Sequence, residues 1–172
     1  MFNMISNRPL PARKTLLGIM TASLALLGTP QNAAARSPET NKAIVAGSFD
    51  AWKAGTGSPF DLLADDVAWT IEGRSAASAT YPSKEAFLRD VIRPFNARMA
   101  VGIKPAVRSM TAEEDRVIIL FDAAGTARDG MPYTNSYAWF FRMEDGRVVE
   151  ANAFFDALAF NDLWSRVAPA AD

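Results

Sequence analysis

The stretch Asn135–Asp156, NSYAWFFRMEDGRVVEANAFFD, decides how this 172-residue chain folds. Six aromatic rings crowd around Asp145-Gly146, and an Asp-Gly pair between apolar runs is a strong local hairpin signal. Side chains alternate between the two faces of a strand, which sorts the residues. Tyr137, Trp139 and Phe141 share one face with Asn135, whereas Thr134, Ser136 and Arg142 take the other. On the return strand Val149, Ala151, Ala153 and Phe155 are expected inward, with Glu150 and Asn152 outward. Asn135 is therefore the polar exception on a face that must be buried.

Outward from this hairpin, GIKPAVRSMTAE, DRVIILFDAAGTA and MPYTNSYAWFFRM read as strands, with a second tight turn at Asp129-Gly130. VIILFDAAG is apolar on both faces, so its orientation is open; if Ile118 and Leu120 point inward, Asp122 carries a carboxylate inward with them. Further upstream, Ile44, Val45, Phe49 and Trp52 recur near helical spacing in NKAIVAGSFDAWKAG, and Gly55 stops that helix. PFDLLADD reads as a short helix opening on Pro59, followed by a strand at VAWTIEG. Ser83 caps KEAFLRDVIRPFNARM, whose Phe87, Leu88, Val91, Ile92 and Phe95 form one apolar stripe. Pro94 should kink or end that helix near Arg93. LAFNDLWSRV reads as a short closing helix. Helices first and a meandering antiparallel sheet after them make the class α+β.

The N-terminal 35 residues stand apart. Arg8, Arg13 and Lys14 precede the apolar run Leu16–Leu27, and QNAAA then supplies small residues. That is the pattern of an export signal cleaved after Ala35, with an apolar core short for a bilayer span. Residues 1–35 are thus expected to be a signal peptide and 36–172 one domain, periplasmic or secreted and free of the membrane after cleavage. Cleavage removes three of the 18 basic residues and none of the 19 acidic ones, so the net charge moves from −1 to −4. A mildly acidic surface with no basic run gives no footprint for nucleic acid. The chain has no His and no Cys. That excludes Ser-His-Asp and Cys-His catalysis and makes a zinc site improbable. Acid–base chemistry would have to come from Asp, Glu, Tyr or Lys.

LLADDVAWTIEG, YPSKEAFLRDVIRPF and YTNSYAWFFRMEDGRVVEANAFFD, in this order and spacing, resemble the SnoaL-like family of the nuclear transport factor 2-like superfamily. The resemblance runs from about Asn41 to Val167. It implies a cone-shaped curved antiparallel sheet wrapped by the N-terminal helices and enclosing an apolar pocket for a small hydrophobic molecule. It also implies that Trp69, Tyr81, Phe87, Asn135, Tyr137, Trp139 and Phe155 line or rim the pocket. The fold hosts isomerases, cyclases and lyases as well as non-catalytic binding domains, so function must be argued from the site.

Two catalytic patterns of the superfamily can be laid on these residues. The limonene epoxide hydrolase-like pattern matches at Asp122, but Leu120 stands at its Arg position and Ala153 at its second Asp, so that triad is absent. In the ketosteroid isomerase-like pattern Glu72 sits near the base position, and Trp139 falls at or near the strand acid. The resemblance then implies Asp122 or Glu72 as base, Tyr137 and Asn135 as oxyanion donors, and no cofactor or metal. The rival reading is a carrier or a homodimerising module. It would use an outer-face patch of Val117, Ile119 and Phe121 with Ala138 and Phe140.

Overall fold

The computed structural model describes residues 36–170, so the expected signal peptide lies outside the described residues. The first helix, α1 (Pro38–Ala54), starts on Ser37, whose side chain accepts from the Thr40 N–H, with Pro38 in the first turn. Gly55 ends it at φ 77°, a left-handed conformation suited to glycine, and returns its N–H to Ala51 and Trp52 carbonyls. Lys104 Nζ donates to the Lys53 carbonyl at 2.8 Å, placing a cation at the negative end of the helix. Val45 and Phe49 are the apolar residues α1 buries.

Ser58 caps a single 3-10 turn, Pro59–Leu62, and β1 (Leu63–Ile71) begins at once. The helix expected over PFDLLADD is therefore only its first half. Pro59 and the Ser58–Asp61 capping box support one turn, after which Leu63 and Val67 are buried in the sheet. A two-residue strand, β2 (Thr80–Tyr81), pairs antiparallel with β1. A continuous helical run follows: α2 (Lys84–Phe87), a π turn (Leu88–Ile92) and α3 (Arg93–Asn96). Pro94 has no N–H for the ordinary i−4 bond, and just before it the ladder widens, Arg93 N–H reaching the Leu88 carbonyl. The proline thus produces a π turn instead of a break.

Strands β3 (Met99–Glu113), β4 (Arg116–Ala127), β5 (Pro132–Glu144) and β6 (Arg147–Phe155) form a meander, and α4 (Ala157–Arg166) closes the chain. The sheet order is β2-β1-β6-β5-β4-β3. It is antiparallel except where β1 lies parallel to β6. Register decides the faces that pattern left open. Val117, Ile119 and Phe121 lie opposite Phe141, Trp139 and Tyr137, so they share the buried face, and Ile118, Leu120 and Asp122 point outward. The outer-face patch is therefore Ile118, Leu120, Ala138, Phe140 and Phe154, not Val117, Ile119 and Phe121.

In β6, Glu150 pairs with Arg142 and Val148 with Met143, leaving Val149 as the extra residue of a bulge. The bulge shifts parity, so Val148 is fully buried where strict alternation placed Val149. Val148→Ala should lower unfolding stability in urea by about 2 kcal/mol, through lost burial and a residual void. Val149→Ala should change it by less than about 1 kcal/mol. Equal losses would remove the bulge assignment.

Candidate functional site

The inward rings do not close on themselves. They surround a cavity of about 570 Å³ between the concave face, α1, the 3-10 turn and the α2–α3 run. Of the residues expected around the pocket, Trp69, Phe87, Tyr137, Trp139 and Phe155 line it. Tyr81 does not: its hydroxyl donates to the Ala77 carbonyl at 2.7 Å, and its ring packs 5.8 Å from Phe87. Trp52, Phe60, Phe95, Ile103 and Phe160 are also on the wall. Trp52 and Phe95 stood on apolar helical stripes, which mark a residue as inward without showing that space is left beside it.

Asp122 lies on the outer face. Its carboxylate accepts from Ser136 Oγ at 2.7 Å and stands 3.6 Å from Arg108, with the side chain half exposed. With Lys104, Thr134, Asn135, Ser136 and Asp156 it borders a second groove of about 350 Å³, so Asp122 and Asn135 share that groove but not the large cavity. Glu72 also lies off the cavity wall and accepts from Asn152 Nδ2 at 3.0 Å. The two expected bases are thus brought neither to each other nor to the cavity.

Asn135 is buried, as its parity required, yet its amide is spent on the chain itself. Oδ1 accepts from the Asp156 N–H at 2.9 Å, and Nδ2 donates to the Asp156 carbonyl and the Tyr133 hydroxyl, both at 3.0 Å. The amide therefore acts as one more peptide unit where β6 ends, pinning the start of α4 to β5. Asp156 then caps α4, accepting from the Leu158 N–H at 2.8 Å. Farther along α4, Phe160 stacks on Trp164 and Arg98 lies 3.9 Å over the Trp164 ring, a cation–π contact that holds the helix down.

The polar groups that do line the cavity are few. Ser58, Asp61, Lys84 and Asn96 come from turns and helix ends, and one Asp61 oxygen is held by the Ser58 N–H at 2.9 Å. Tyr137 and Trp69 also line it, and the buried Trp69 Nε1 has no acceptor among the described residues. Trp69 is stacked on Phe87 at 4.2 Å and meets Trp139 edge to face at 5.2 Å. The Tyr137 hydroxyl lies 3.2 Å from that of Tyr133. Burial pushes both phenols above their ordinary value, Tyr137 well above it, so both are neutral at physiological pH. Among the described residues no three acidic side chains converge as a metal site.

A half-open cone with an aromatic interior and few polar groups is the architecture of the nuclear transport factor 2-like superfamily. The SnoaL-like domain profile matches residues 43–151, and the chain belongs to that family. Bal32a, from a soil-derived mobile gene cassette, superposes with TM-score 0.61 at 22% identity over 74% of this chain and 98% of its own. A putative SnoaL-like polyketide cyclase from Jannaschia sp. CCS1 gives 0.60 at 20% identity over 76% and 96%. TerC, co-crystallized with polyporic acid, gives 0.58 at 20% identity over 75% and 99%. No curated protein sequence matches the chain.

Asn135→Ala should cost roughly 2 kcal/mol in urea unfolding, because it strands the Asp156 N–H and carbonyl and the Tyr133 hydroxyl together. Asp122→Asn, at an exposed ion pair, should cost less than about 1 kcal/mol. Comparable losses would remove the pinning role.

Proposed function

We propose that this domain binds a small, flat, apolar organic molecule inside the cone and that binding, not acid–base catalysis by Asp122 or Glu72, is its activity. The carrying observation is the 570 Å³ space with an aromatic wall. A space of about 570 Å³ lies within the range of small-molecule pockets. The absence of Asp122 and Glu72 from that wall supports binding over an isomerase or lyase built on them. TerC's co-crystallization with polyporic acid supports a small organic ligand in this fold. Fluorene should bind the protein saturably in equilibrium dialysis. Ile103→Trp, which plugs the wall, should abolish saturation, while Asp122→Asn and Glu72→Gln should leave it unchanged. Fluorene that fails to bind, or binds the plugged variant equally, removes this reading.

A second property rests on the outer face. Phe140 and Phe154 are 37% and 48% exposed and pack edge to face at 5.8 Å, beside Ile118. This patch supports a homodimer formed after export and cleavage, with the signal pattern of residues 1–35 supporting a periplasmic or secreted location. The exported protein should begin at Arg36 by N-terminal sequencing and sediment as a dimer. Phe154→Lys should return it to a monomer. A wild-type monomer, or an uncleaved N-terminus, contradicts the respective half of the proposal.

A further inference from the structure

Tyr133 and Tyr137 share the inward face of β5 with their hydroxyls 3.2 Å apart, and either oxygen could be the donor. Asn135 settles the direction. The Asp156 N–H can only donate and faces Oδ1, while the Asp156 carbonyl can only accept and faces Nδ2. Turning the amide over would set donor against donor and acceptor against acceptor, so its orientation is fixed. Nδ2 therefore directs a hydrogen to Tyr133, whose oxygen is an acceptor in that bond.

The Tyr133 hydrogen then has one acceptor among the described residues, the Tyr137 oxygen. Were Tyr137 to donate instead, the Tyr133 hydrogen would be orphaned on a residue only 3% exposed. Tyr133 donates, and the Tyr137 hydrogen is the one left over. Tyr137 lines the cavity, and its ring is held by stacking on Phe121 at 4.8 Å. Trp69, whose indole nitrogen can only donate, stands on the same wall.

Resting on the reading that the cavity binds a ligand, we infer that Tyr133 is a positioning residue that presents the Tyr137 hydroxyl as a donor to the cavity. The ligand is accordingly an apolar ring system carrying a carbonyl-type acceptor oxygen. The relay runs from the Asp156 backbone through Asn135 and Tyr133 to Tyr137. It fixes one hydrogen where a ketone or quinone oxygen can take it, and a hydrocarbon of the same shape gains nothing from it.

Fluorene and 9-fluorenone share a skeleton and differ at one position, CH₂ against C=O. Their dissociation constants are measured by equilibrium dialysis for the wild type, Tyr137→Phe and Tyr133→Phe, with near-ultraviolet circular dichroism confirming each fold. Tyr137→Phe should lower the ratio of fluorenone to fluorene affinity about five- to tenfold, the size of one buried hydrogen bond. Tyr133→Phe should lower it about two- to threefold, by removing the donor that holds the Tyr137 oxygen. A ratio unchanged in Tyr137→Phe overturns the inference. A Tyr133→Phe variant that weakens both ligands equally reduces Tyr133 to a structural residue and overturns its positioning role. Wild-type protein that binds neither ligand overturns the cavity reading itself, and this inference with it.

Discussion

Trp139 makes more aromatic contacts than any other residue described, and the interior is organised around it. Its ring lies within 6.2 Å, centroid to centroid, of Phe49, Trp52, Phe60, Trp69, Phe121, Tyr137 and Phe141. Those partners come from α1, the 3-10 turn, β1, β4 and β5, so one side chain ties the helices to the concave face. The hollow beside Trp139 is walled by these rings, which sets the apolar character of whatever occupies it.

The sheet's curvature and the anchoring of α4 complete the cone. The β6 bulge at Val149 turns Val148 inward alongside Ala151 and Ala153, and the two alanines sit opposite Phe141 and Trp139. Large rings on β5 facing alanines on β6 leave room that two aromatic strands would have closed. At the far end, the Asn135 amide and the Asp156 cap bring Phe160 to the cavity wall. One pinned helix thereby fixes one end of the site. The same amide sets the polarity of the tyrosine pair, so anchoring and recognition are linked through a single side chain.

Much of this was legible in the residues. The alternation of β5 put Asn135, Tyr137, Trp139 and Phe141 on one buried face, and the order of motifs marked the SnoaL-like fold. What was not legible depended on neighbours. β4 is apolar on both faces, so only its register against β5 could turn Asp122 outward. Val149 and Val148 are the same residue type, and no period distinguishes them where a bulge inserts one residue. Asn135 looked like a pocket group because a buried amide needs partners, and those partners, Asp156 and Tyr133, are set by tertiary contact. Glu72 followed a strand at a suggestive position, but Asn152 across the sheet claims it.

All of this depends on the space beside Trp139 being an apolar cavity that a ligand can enter. Crystals of residues 36–172 pressurised with xenon test it directly, because xenon enters apolar cavities and marks them by anomalous scattering. Xenon should lie within van der Waals contact of Trp139 and Phe60 in the wild type and be absent there in Ile103→Trp. Side chains filling that space, with no xenon bound, would contradict it.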